Sequence, residues 1–299
     1  MVSQVITLPE LRRGDAWIAR MCLGLSLYLA EPPTPEQARA AWNAYRSVCP
    51  SERMRFARNT RMILWQELAS DQRKDLAPYL APLDERLDVG ALVWDGYPRS
   101  YWTFWIQGVL VPERGPHASY LLVRFSDEVF PETIHALAVR LTDALPFLSG
   151  HAGFTVEFKP GLKGRAFDQI FAWSRRYLGL EVEDLNRTLP VVLDAVKGAS
   201  WLTLVGNGLW SKVTDTIGGQ PELPESVDLH RGKHGIVLRA GPQPVLADRN
   251  RQEFPAAYAA VERLIQPVKV QSHPEFSGRF REEGLTMAWL RRLTEPENW

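Results

Sequence analysis

The sequence predicts an α+β fold, a mixed and largely antiparallel sheet flanked by helices. Strand-like segments arrive singly and in hairpins between helical ones, without a regular βαβ rhythm. A long apolar run over 17–29 alternates with period two, as a strand does. Hydrophobic residues make up 45% of the 299 and charged residues 23%, so the chain can bury a real core and no long segment should be disordered.

In chain order, Trp17, Ala19, Met21, Leu23, Leu25, Leu27 and Leu29 form the uniformly apolar side of that run. One buried face is therefore expected there, with Arg20, Cys22, Ser26 and Tyr28 on the other. Pro32-Pro33 ends the strand. Thr34 then has the character of a helix N-cap, with Pro35 at the first helical position. Ala38, Ala41, Trp42 and Tyr45 recur at helical spacing, which gives an amphipathic helix over 35–47. The segment from Arg53 to Arg61 holds a short strand with a basic face, and 62–68 and 71–83 read as mainly helical. Residues 92–94 and 101–110 are strand-like, 111–116 a turn, and 119–125 the returning strand. Ser126 is an N-cap candidate for a helix whose stripe is Ile134, Leu137, Ala138, Leu141 and Leu145. A strand over 154–158, a helix over 166–178, a strand over 201–205 and a helix opening at Gly206 and Gly208 follow. After these come a strand over 235–240, a helix over 255–265, a short strand over 268–270 and a helix over 285–293. The chain is expected to be one unit, 1–299, the alternative being two packed halves of 1–162 and 163–299 with a boundary at the Pro160-Gly161 turn.

Charge and cysteine content narrow the function. Basic and acidic residues balance at 35 each, which argues against a dedicated nucleic-acid binder and against an anionic membrane surface. The two cysteines, Cys22 and Cys49, suit neither a disulfide framework nor a zinc site. The apolar run 16–30 is interrupted by Arg20 and is too short to span a bilayer, so a cytoplasmic protein is expected. The eleven Trp residues suit cores and binding surfaces alike.

The most enzyme-like stretch is 194–210. Ser200 sits in Gly198-Ala199-Ser200-Trp201-Leu202, but the nucleophile elbow needs a second glycine where Leu202 stands, and its serine follows a strand. Asp228 with His230 or His273 would complete a triad order that chance easily supplies. Gly206-Asn207-Gly208 could open a dinucleotide loop, with Glu225 or Asp228 as the ribose acid, yet no second parallel strand carries that acid. Structural readings outweigh both, although a dinucleotide-dependent enzyme or a serine hydrolase stays as the alternative. The six histidines are dispersed; His230 and His234 flank a basic loop, and His135 falls at the edge of a core stripe. No metal and no cofactor is expected. Arg53, Arg55, Arg58 and Arg61 interleave with Phe56 and Trp65 as single-strand binders do, but a solvated basic face is the commoner meaning. Glu181, Glu183 and Asp184 read as an exposed acidic edge able to meet a basic partner.

Several segments together resemble a known family: 17–46, Pro146-Phe147-Leu148-Ser149-Gly150-His151-Ala152-Gly153, 177–184, Lys197-Gly198-Ala199-Ser200-Trp201-Leu202-Thr203 and 236–241. The set is similar to bacterial type VI secretion immunity proteins. The resemblance runs from about Trp17 to Val270, through motifs that are structural and carry no catalytic set. It implies a protein without enzymatic activity that binds and neutralises a cognate secreted toxin acting in the cytoplasm. The expected partner is that toxin, with no nucleic acid and no membrane, and a homodimer is left open. The contact residues expected are Glu181, Glu183 and Asp184, with Glu222, Glu225 and Asp228 in a second exposed loop.

Overall fold

The computed structural model describes residues 8–59, 64–70, 89–94, 102–109, 115–159 and 161–299. Its strands are β1 (Glu10–Arg13), β2 (Ala16–Leu29), β3 (Phe56–Asn59), β4 (Gln66–Glu67), β5 (Val89–Trp94), β6 (Thr103–Gly108), β7 (Ser119–Phe125), β8 (Ser149–Phe158), β9 (Leu202–Gly206), β10 (Val227–Arg231) and β11 (Gly235–Ala240). Its helices are α1 (Pro35–Arg46), α2 (Pro131–Ala144), α3 (Lys163–Arg176), α4 (Leu185–Thr188), α5 (Asn207–Ile217), α6 (Ala256–Leu264) and α7 (Leu285–Leu290). All the strands join one sheet in the order β10-β11-β9-β8-β2-β7-β6-β5-β3-β4, with β1 paired to the start of β2. Every neighbouring pair in it is antiparallel. The α+β architecture is the one the sequence predicts.

β2 is the axis. It pairs with β7 over Leu23–Leu29 and with β8 over Ala19–Tyr28. Its odd-numbered residues align with Ala152, Phe154 and Val156 of β8 and with Leu121, Val123 and Phe125 of β7, making one continuous apolar face. Helices α1 and α2 share the core built on that face. In α1 the predicted residues Ala38, Ala41, Trp42 and Tyr45 are the buried ones. Trp42 and Tyr45 meet Phe104 of β6 at ring-centroid distances of 5.3 and 5.2 Å. The predicted α2 stripe is fully buried at Ile134, Leu137, Ala138, Leu141 and, just past the helix end, Leu145.

Local chemistry sets the helix ends. Thr34 caps α1: its hydroxyl accepts from the Gln37 amide at 3.2 Å, and the Gln37 side chain accepts from the Thr34 amide at 2.9 Å. Both orphan amides are thereby satisfied. Ser126 does not cap α2. Its hydroxyl accepts from the Glu128 amide in a local turn, and the helix starts at Pro131, whose fixed φ suits the first turn. Gly218 closes α5 in the left-handed region at φ 82°, where a Cβ would be strained.

The second face of β2 differs from expectation. Arg20, Cys22, Ser26 and Tyr28 are as buried as the apolar side. The segment 178–196 lies across this face: Leu189, Val192 and Ala195 pack with Tyr28, Tyr120 and Leu122 in a separate apolar cluster. Residues 66–67 form a strand where a helix was expected; the helical reading of 71–83 lies outside the described residues. The final strand expected at 268–270 is a 3-10 turn, Gln266–Val268, followed by a lone parallel bridge between Val196 and Lys269. Strand β10 was not predicted.

Candidate functional site

The enzyme-like stretch 194–210 is architecture. Ser200 is buried, and its hydroxyl donates to the Ala152 carbonyl at 3.0 Å, so no histidine activates it. Gly206 gives its amide to the Leu148 carbonyl at 2.8 Å. A Cβ at Gly206 would stand 2.1 Å from the Phe147 carbonyl oxygen. The glycine serves close strand contact, and the space a pyrophosphate would need above it is filled by backbone. Trp201 is fully buried and donates to the Gly241 carbonyl at 3.0 Å, which ties β9 to the end of β11.

Lys197 is buried and pairs with one of the acids read as an exposed edge. Glu181, Glu183 and Asp184 are only 3%, 5% and 1% exposed. The acidic edge read from the sequence is thus a set of interior charges laid over the second face of β2. Glu183 accepts from the Ser26 hydroxyl, pairs with Arg124 of β7, and lies 3.0 Å from His151 Nε2 of β8. Glu181 pairs with Lys197 at 2.5 Å and with Arg292 at 3.4 Å. Asp184 meets Lys163 at 2.7 Å and accepts from the amide and hydroxyl of Ser277 at 3.0 and 2.8 Å. Beside them Glu262 binds the Ala199 amide at 2.6 Å and pairs with Lys269.

The balance of charge explains how such a layer survives. Four buried carboxylates (Glu181, Glu183, Asp184, Glu262) face four buried cations (Arg124, Lys197, Lys269, Arg292), and Lys163 reaches in from the rim. Cations are further held by carbonyls: Lys197 by Val182 at 2.9 Å, Lys269 by Leu290 at 2.6 Å, and Arg292 by Leu178 at 2.8 Å. The Arg292 guanidinium also sits 4.0 Å from the Trp289 ring centre. Burial opposes ionisation of Glu183, yet Arg124 and His151 hold its carboxyl well below the usual carboxylate range. Burial opposes Glu181 too, and Lys197, His151 and Arg292 reverse it. Burial and the neighbouring Glu183 and Glu181 charges push the Tyr28 phenol well above its ordinary value. Every carboxylate here is paired, so the layer has the character of a structural lattice. A partner could reach these acids only by displacing 178–196.

The second predicted loop is at the surface. Glu222 and Glu225 are exposed in the loop between α5 and β10, and Asp228, expected in the same loop, is instead an exposed residue of β10, at one end of the described sheet. Asp228 shares a face with Arg239 on β11, and Arg239 in turn reaches Glu132 of α2 at 3.5 Å. His135 of α2 is half-buried nearby; burial, Arg239 and His230 lower its pKa. Eight tryptophans are buried (Trp17, Trp42, Trp102, Trp173, Trp201, Trp210, Trp289, Trp299), so they belong to the core. Among the described residues, the exposed aromatics are Phe130 and Phe254, at 70% and 45%. Among the basic residues of the Arg53 segment, Arg55 lies over Phe56 and pairs with Glu67 at 3.7 Å, and Arg58 lies 4.9 Å from the Trp65 ring centre. The aromatic faces are used within the chain. Arg61 lies outside the described residues. No helix among the described residues is long and apolar enough to cross a membrane.

Comparison with solved structures gives the same fold in the Pseudomonas aeruginosa T6SS protein PA0821. The TM-score is 0.76 at 19% identity, over 97% of this chain and 90% of that one. Comparison with curated proteins found no match. The family model TsiV, described as type VI immunity for VRR-NUC, matches residues 122–293. The chain belongs to this type VI immunity family.

Proposed function

We propose that the protein is a non-enzymatic immunity protein that binds a cognate type VI secreted toxin in the cytoplasm and blocks it. The family description points to a nuclease of the VRR-NUC kind as that toxin. Family membership over 122–293 carries the reading. The geometry of 194–210 supports it, since Ser200 and Gly206, the residues there most suggestive of catalysis, are both consumed by packing.

A nuclease holds its substrate on basic surface, because phosphate neutralisation drives that binding. An exposed acidic loop is suited to the same surface. Glu222 and Glu225, with Asp228 beside them, are the contacts we assign. Co-expression with the adjacent toxin gene should protect cells, and the purified pair should form a sub-micromolar complex. The Glu222→Lys/Glu225→Lys double variant should keep the fold and lose at least about tenfold in affinity. Absence of protection and of co-purification would sink the immunity reading. An unchanged affinity in the double variant would move the contact elsewhere on the surface.

A further inference from the structure

We infer that β10 is a self-pairing edge, which joins the sheets of two copies of this chain across a twofold axis. The argument starts from backbone parity. The Gly232 amide bonds the Gly235 carbonyl and the Gly241 amide bonds the Ser226 carbonyl, at 2.8 and 2.9 Å. In an antiparallel ladder, bonded pairs alternate with non-bonded ones. The register then makes His230 with Val237 and Asp228 with Arg239 the bonded pairs of this hairpin. Val227, Leu229 and Arg231 therefore aim their amides and carbonyls away from β11. Among the described residues β10 ends the sheet, so no described strand takes up those groups. Of them the Val227 amide is engaged, by the Pro224 carbonyl at 2.9 Å.

The sequence of the edge is complementary to itself. Antiparallel pairing centred on Leu229 sets Leu229 opposite Leu229 of the second copy, Val227 opposite Arg231, and Asp228 opposite His230. Leu229, Val227 and Arg231 are the outward residues, so the backbone parity of both copies matches. The Leu229 pair exchanges two hydrogen bonds, and each Arg231 amide reaches a Val227 carbonyl. Asp228 and His230 then form the closely spaced non-bonded pair, twice by symmetry, with an acid against an imidazole each time. Both side chains are exposed in the free chain. The Arg231 side chain is already drawn back onto Gln220, and leaves the line of approach clear. Natural edges are blocked by charged side chains, proline, a bulge or short length; β10 is short and charged, but it has no proline and no break in register, and its Asp228 meets His230 of the second copy in this pairing.

The test uses the purified full chain without toxin, so it is independent of the immunity reading. It follows molar mass against concentration by sedimentation. Wild type should move toward twice the 33.9 kDa monomer mass as concentration rises. Asp228→Lys and His230→Asp should each weaken association by about tenfold, since two cross-strand pairs turn from attractive to repulsive. The double variant Asp228→Lys/His230→Asp restores opposite charges and should dimerise again, a rescue that general damage to the hairpin would not give. Leu229→Pro removes an outward amide without touching the β11 ladder and should leave a folded monomer. A wild-type mass that stays monomeric at every concentration overturns the proposal. So does equal dimerisation in both single variants. If wild type is monomeric alone and Leu229→Pro instead weakens toxin binding, the edge belongs to a strand of the toxin and self-pairing is wrong.

Discussion

At the scale of single residues, the interior charges dominate what can be predicted. Replacing Glu183 by Gln would leave Arg124 buried without its counter-ion, at a cost of about 3–5 kcal/mol in unfolding free energy. Removing both charges, as in Arg124→Met/Glu183→Leu, should cost less than the single change. Urea denaturation of wild type and the two variants would show this, and a double variant that loses more stability than Glu183→Gln would contradict the pairing. Acid sensitivity has a separate source in His273, whose Nδ1 contacts the Pro274 carbonyl at 2.6 Å and whose Nε2 faces the Thr188 hydroxyl at 3.3 Å. Burial lowers its pKa from 6.5 to about 4, with Lys197 adding to the effect against the pull of Pro274. Between those values the unfolded chain binds the proton and the folded one does not, so stability falls as pH drops through that window, by roughly 3 kcal/mol in all. The lowered carboxyls of Glu181 and Glu183 act in the same direction at lower pH: their contribution is present above the unfolded carboxylate pKa and is lost as pH falls through the folded values. His273→Asn, whose amide can still donate to Pro274, should flatten the pH 4–6.5 part of the profile and leave the more acidic part intact.

At the scale of elements, two substitutions separate capping from packing. Thr34→Ala removes half of the α1 capping box and should cost about 1 kcal/mol. Gly206→Ala forces a methyl against the Phe147 and Leu148 carbonyls at the β9–α5 junction. It should cost more, about 1–3 kcal/mol, with no loss of toxin binding in the protein that remains folded. Thermal melts alongside a binding assay distinguish the two. Elements whose signals are local were legible in the sequence: the cap at Thr34, the α2 stripe, the alternation of β2 and the strand β11 were all readable from neighbours. Ser126 misled because Pro131 sets the helix start more firmly than a nearby hydroxyl does. β10 was missed because Val-Asp-Leu-His-Arg carries three polar residues in five, the composition of an exposed edge and not of a core strand.

For the whole molecule, the error about Glu181, Glu183 and Asp184 is instructive. A run of three acids in four residues reads as solvated surface when its partners are out of view. Arg124 and Arg292 lie 59 and 111 residues away in the chain, and only the fold brings them together. Glu222 and Glu225 lie in the exposed loop that proline and glycine mark whatever the tertiary structure, whereas Asp228, read into the same loop, is exposed on strand β10. The fold class was legible because it depends on the order of elements. The covered second face of β2 was not, because it depends on a coil segment packing back from the other half of the chain.

The 14-residue strand β2 also has a consequence in time. Apart from the short β1, its pairing partners begin at Ser119 and Ser149, so the longest apolar strand is made early and waits for both of them. The Arg20–Glu157 contact closes a loop of 137 residues. Such non-local closure is slow, on the order of milliseconds to seconds once the chain is free. During synthesis at about 5–20 residues per second, the part of β2 beyond its pairing with β1, from Met21 to Leu29, waits several seconds for a neighbouring strand. Refolding should therefore be a slow phase sensitive to chaperones, and circular permutants that bring β2 next to β8 should shorten it.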